Sequence, residues 1–176
     1  MRVIFVGHPG AGKTFAAELL GSATGIEKVD ADSLFDWHPV IFVSKRVYFR
    51  AFRKLIGKKK EWIIDSYHGH RMPDSVWLDA DIIVFINLPR DELVKNVLRR
   101  FRVKKQTKNN SHGQATYINT AKNLSQIYLL DRALLNNVKR IKHLIGDDGK
   151  FIELRSRRDV ENFIRQMTAQ HRQPGQ

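Results

Sequence analysis

Gly7-His8-Pro9-Gly10-Ala11-Gly12-Lys13-Thr14 is a glycine-spaced run that closes on a lysine and a hydroxyl. Glycines at these intervals let the backbone curl until its N–H groups converge, and converging N–H groups bind phosphate oxygens. The run fits the Walker A pattern at every fixed position. The chemistry it implies is binding of a nucleoside triphosphate, ATP with Mg²⁺. The backbone of Gly7, Pro9, Gly10, Ala11 and Gly12 would cradle phosphate. Lys13 would reach the β- and γ-phosphates as a point charge, and the Thr14 hydroxyl would join the Mg²⁺ shell. His8 and Pro9 fill variable positions. Pro9 shapes the loop, and His8 reads as a passive loop side chain more readily than as a substrate contact.

Such a loop works only between a strand and a helix, because the helix N-terminus adds unpaired N–H groups and a positive dipole end. The flanks supply both. Arg2–Val6 is a short apolar, β-branched run, and Lys13–Leu20 has helix-forming composition with Gly21 as its expected stop. A carboxylate at a neighbouring strand end must complete the metal shell. Asp65, closing Glu61–Asp65 (EWIID), is best placed, because ligands bind beyond the carboxyl ends of parallel strands. Asp81 starts a strand and belongs at the opposite edge. Asp32, just after the strand expected over Ile26–Val29, could orient or deprotonate a phosphoryl acceptor, join the metal shell, or simply close a turn. Asp30 and Asp36 are weaker alternatives.

The rest of the chain repeats the alternation of strand and helix. A basic amphipathic helix is expected over Phe42–Leu55, and Asp81–Leu88 (DIIVFINL) is the most strand-like run of all. A helix over Asp91–Lys105 is followed by a polar loop, Gln106–Gly113. Thr116–Ile145 reads as helical, in one piece or two, and Phe151–Leu154 as a fifth strand. Ser156 with Asp159 three residues on resembles a capping box that opens a last helix through about Met167. The order β-α-β-α-β-α-β-α(α)-β-α implies a parallel sheet covered on both faces. One domain is expected over 1–168, with a frayed tail over 169–176.

Composition narrows the class. The 176 residues include no cysteine, which excludes disulfides, thiolate metal sites and a cysteine nucleophile. No apolar run reaches the ~18 residues of a membrane span, so a soluble cytoplasmic protein is expected, with no membrane partner. The net charge of +13 suggests an anionic partner, either the phosphates of a small substrate or nucleic acid, against the plainer reading of a solvated basic surface. Arg46, Arg50 and Arg53 share one helical face and could hold an acceptor's phosphate.

The P-loop, Asp32 near Phe35 and Trp37, and the segments EWIIDSY, DIIVFINLPR and FIELRSRRDVENFI together resemble the adenylate-kinase-related small P-loop kinases, and within them the FlaR-type "DNA topology modulation" proteins. The resemblance runs from Arg2 to about Met167. It implies a three-layer α/β P-loop NTPase fold with a five-stranded parallel sheet and a helical lid, over about 99–130. It also implies that Asp65 acts on the Mg²⁺ side of the site, and that Arg99 and Arg100 are the arginine pair at the base of the lid. The alternative for that pair is a solvated helix face. Ser66 and Tyr67 stand where the family carries Gly-Asn-Tyr, Arg71 is out of register with the family's acceptor arginine, and Lys104–Thr120 matches no lid. Trp37 and Trp62 read as packing residues.

The expected activity is ATP-dependent phosphoryl transfer to a small acceptor, a nucleoside or deoxynucleoside monophosphate. A 5′-hydroxyl polynucleotide kinase and an ATP-binding, nucleic-acid-associated regulator are the alternatives. The catalytic set is Lys13, Asp32, Asp65, Arg99 and Arg100, and the acceptor contacts are Asp32, Arg50 and Arg53. A monomer or weak homodimer is expected.

Overall fold

The structure is a computed structural model that describes residues 1–30, 45–57, 59–66, 72–106, 113–146 and 149–172. Five strands form one parallel sheet: β1 (Arg2–Gly7), β2 (Lys28–Asp30), β3 (Trp62–Asp65), β4 (Ile82–Ile86) and β5 (Phe151–Leu154), in the spatial order β2-β3-β1-β4-β5. Seven described helices accompany them: α1 (Lys13–Thr24), α2 (Lys45–Ile56), α3 (Asp74–Asp79), α4 (Arg90–Gln106), α5 (Gly113–Leu129), α6 (Asp131–Ile145) and α7 (Arg157–Arg172).

The central strand shows why the sheet must be covered twice. Successive side chains of a strand point to opposite faces. In β1, Val3 and Phe5 enter one apolar cluster, with Ala16, Ala17 and Leu20 of α1 and Phe163, Ile164 and Met167 of α7. Ile4 and Val6 enter the other, with Phe52 of α2, Val76 and Trp77 of α3, and Leu134, Val138 and Ile141 of α6. A strand buried on both faces carries an unbroken apolar run, as residues 3–6 (VIFV) do. Trp62 is among the second cluster's buried residues, so its packing role is as expected.

One local expectation changes. The first helix does not stop at Gly21; it continues to Thr24 and ends on Gly25, at φ 75°. Gly21 serves a close approach instead, since a Cβ there would lie 2.9 Å from the Ile26 carbonyl oxygen. The helix expected between the third and fourth strands is α3, for which the sequence's periodicity offers no bounds. Six residues are too few to show a helical period, although Pro73 followed by Asp74 is a usable start signal. The capping box forms as read: Asp159 N donates to Ser156 Oγ at 3.1 Å, and Ser156 N donates to Asp159 Oδ2 at 2.9 Å. The long helical stretch after the polar loop divides in two at Leu130. No described helix is long and apolar enough to cross a membrane.

Strand order puts the chemistry in one place. β1 sits between β3 and β4, so its carboxyl end has a strand end on each side. On one side that end is Asp65, while Asp30 pairs in register with Asp65 from β2. Asp81 lies at the opposite edge, where its carboxylate accepts from Arg2 N at 2.7 Å.

Candidate active site at the carboxyl edge of the sheet

The loop from Gly7 to Thr14 leaves β1 and feeds directly into α1. Gly12 caps α1 in the left-handed region, at φ 89°, with no side-chain cap, and the first turn carries no acidic residue. The opening N–H groups of a helix have no partners within it, so this end can receive an anion. Gly10 stands at φ 83°, and a Cβ there would lie 2.5 Å from the Leu93 carbonyl oxygen. The loop is therefore pressed against α4. Asn96 of α4 completes the seam by donating from Nδ2 to Gly10 O at 3.0 Å.

Lys13 is buried, and its Nζ donates to the His8 carbonyl at 3.1 Å. That carbonyl also accepts from Ala11 N at 3.1 Å. Thr14 Oγ1 donates to Asp65 Oδ2 at 2.5 Å, joining the start of α1 to the end of β3. A hydroxyl and a carboxylate side by side form a hard-oxygen pair suited to Mg²⁺, which takes few protein ligands and completes its shell with water and substrate phosphate. Among the described residues no three His, Asp or Glu side chains gather into a self-sufficient metal cage.

His8 is tied into the fold. It is only 5% exposed, and its Nε2 lies 2.8 Å from Asp131 Oδ1 at the start of α6. Asp131 in turn accepts from Arg90, at the start of α4, at 3.3 Å, and the Arg90 guanidinium lies 5.4 Å from the centre of the Tyr128 ring. Burial lowers the pKa of His8 most; Lys13 and Arg90 act in the same direction and Asp131 opposes them. The unfolded chain therefore binds a proton near 6.5 that the folded chain resists. Stability from this group is complete above that pH and is lost as pH falls through it toward the lowered folded value. His8→Gln should flatten this part of the curve, checked by thermal midpoints at about pH 7.5 and about pH 5.5. Equal slopes for the two proteins would remove His8 as the cause.

Of the remaining candidates, Arg99 and Arg100 are exposed on α4, one turn beyond the Asn96 that touches the loop. Phe101, next in sequence, meets Tyr117 of α5 edge-on, with ring centres 4.9 Å apart. Arg50 and Arg53 are exposed on α2, whose Phe52 is fully buried. Ser66 is buried behind Asp65, and its N–H donates to Phe5 O at 3.3 Å. Asp32, Phe35, Asp36, Trp37, Tyr67, Arg71, residues 107–112 of the lid region and the tail 173–176 lie outside the described residues, as does the Asp30 side chain. Sequence reading missed Asn96, Asp131 and the bonding of Arg90. Asn96 had a signal, since it precedes Arg99 and Arg100 by one helical turn. Asp131 had none, being 123 residues from its partner.

No family model matches the chain, and no curated protein matches it either. Among solved structures it is similar to shikimate kinase from Acinetobacter baumannii in complex with shikimate, at TM-score 0.53 and 17% identity, over 94% of this chain and 89% of that one. The strand order, the loop and the helices on both faces give this chain the same three-layer α/β fold as that enzyme.

Proposed function

We propose that the chain catalyses ATP-dependent phosphoryl transfer to a small phosphate-bearing acceptor, a nucleoside or deoxynucleoside monophosphate. The observation that carries the proposal is the joining of Thr14 to Asp65 at the mouth of a glycine loop that also holds Lys13. In-line phosphoryl transfer asks a protein for positioning and charge neutralisation more than for covalent chemistry. Gly7, Pro9, Gly10, Ala11 and Gly12 offer main-chain groups to the triphosphate, and Lys13 places a cation at its outer phosphates. Bound Mg²⁺, held by Thr14 and Asp65, would neutralise charge on the phosphoryl oxygens. Arg99 and Arg100 would neutralise transferring charge from the lid side. Asp32 would orient the acceptor, with Arg50 and Arg53 on its phosphate. The narrower likeness to the FlaR-type proteins rests on the sequence segments alone.

Exchanging Thr14 for alanine or Asp65 for asparagine should raise the Mg²⁺ concentration needed for half-maximal turnover by about 10–100-fold, as loss of a metal-orienting partner does. A Mg²⁺ titration of ADP release checks this, and an unchanged midpoint in both variants would remove the metal role.

A second reading is supported by the exposed Arg46, Arg50 and Arg53 on α2: a 5′-hydroxyl polynucleotide as acceptor. ADP release measured across nucleoside monophosphates, deoxynucleoside monophosphates, 5′-hydroxyl oligonucleotides and shikimate, the ligand of the fold neighbour, separates the acceptors. A polynucleotide acceptor would bind with an affinity that falls steeply with salt, whereas a mononucleotide would show little slope. Nucleotide binding with no acceptor-stimulated release would favour an ATP-responsive regulator instead.

A further inference from the structure

The chain of contacts Arg90–Asp131–His8 ends on the phosphate loop but has no part in the chemistry assigned above. Its members come from three places: the first residue of α4, the first residue of α6, and a variable position of the loop. Arg90 opens α4, and Asp131 follows the end of α5 after a single intervening residue, so the two stand at the roots of the α4–α5 pair. An ionised carboxylate only accepts hydrogen bonds, so the His8 Nε2 must carry the proton that points at Asp131. His8 Nδ1 is then the acceptor nitrogen of a neutral ring, and it is buried with no hydrogen-bond partner. Burial works against a second proton more strongly than Asp131 works for one. Held by its ring, His8 presents its carbonyl to Lys13 Nζ.

We propose that Asp131 is a positioning residue for nucleotide binding. Braced by Arg90, it fixes the tautomer and place of His8, and through the His8 carbonyl it sets where Lys13 rests. The roots of the α4–α5 pair and the triphosphate loop are thereby coupled, and by reciprocity a nucleotide that draws Lys13 off that carbonyl alters the His8–Asp131 bond. This inference rests on the nucleotide-site reading proposed above.

The test is the affinity of the full chain for Mg-ADP, by titration calorimetry, in wild type, His8→Ala, Asp131→Ala, the double variant and His8→Gln. Each alanine variant should bind about tenfold more weakly, and the double variant no more weakly than either single one, because both remove the same bond. Glutamine keeps an N–H donor near the Nε2 position, so His8→Gln should remain within about threefold of wild type, a rescue that simple packing would not give. ¹⁵N spectra of His8 should show the Nε2–H tautomer in wild type, a mixture in Asp131→Ala, and a shift on adding Mg-ADP. Should an alanine variant fail to fold, Arg90→Met and Asp131→Asn, with their double variant, test the same coupling at the exposed end. Additive losses, or His8→Gln as weak as His8→Ala, would overturn the positioning role while leaving the nucleotide site intact. A wild type that binds no Mg-ADP would overturn the nucleotide site and this inference with it.

Discussion

Lys13→Met should lower turnover of Mg-ATP by about 10²–10³-fold, the scale on which a preorganised charge at a developing anion acts. The loss should be confined to function. Methionine fills nearly the same volume in a position that is only 8% exposed. The His8 carbonyl would lose the lysine donor but keep Ala11 N, so that acceptor is not orphaned. Loss of that one bond should cost about 1 kcal/mol of stability. Steady-state ADP release and a thermal melt on the same sample separate the two effects. Full residual turnover would end the assignment of a working phosphate loop. A collapsed melting point would mean that Lys13 serves the fold.

Gly10→Ala should be the most damaging added methyl among the described glycines. Its φ of 83° is unfavourable for any side chain, and the added carbon would lie 2.5 Å from the Leu93 carbonyl oxygen and 3.1 Å from Val97 Cγ2. The first atom is backbone within α4 and cannot rotate aside. The left-handed conformation costs about 1 kcal/mol and the forced overlap about 1–3 kcal/mol more, a fall of several degrees or more in Tm for a chain of this size. Relief requires α4 to move away from the loop, which would also break the Asn96–Gly10 bond and carry Arg99 and Arg100 with it. Gly25→Ala is the control, with a similar φ of 75° and nothing within 4 Å. It should show only the conformational cost. Equal destabilisation in the two variants would refute the claim that loop and helix are pressed together at Gly10.

What could be read from the sequence was local. The loop was legible because one contiguous run carries its whole pattern, and Asp65 because a strand end is visible in EWIID. The strands were legible because burial on both faces leaves an apolar run of characteristic length. Gly21 misled because glycine is read first as a helix stop, whereas here it is small for the sake of the Ile26 carbonyl. The order β2-β3-β1-β4-β5 was not legible, since it follows from which helix covers which face and not from any one segment. For the same reason Asp131 and Arg90 could not be tied to His8. Their meeting is a product of the fold, across 123 residues in one case. Asp32 and the acceptor side of the site remain as the sequence presents them.

The central claim is that this loop holds ATP as the donor for phosphoryl transfer. It is tested most directly by incubating the full chain with Mg-ATP labelled at the γ-phosphate and the acceptor panel, beside Lys13→Met. The account predicts that label leaves ATP and is recovered on a small phosphate-bearing acceptor with wild type, and remains on ATP with the variant. Label that stays on ATP with every acceptor, or that moves equally well with Lys13→Met, would contradict it.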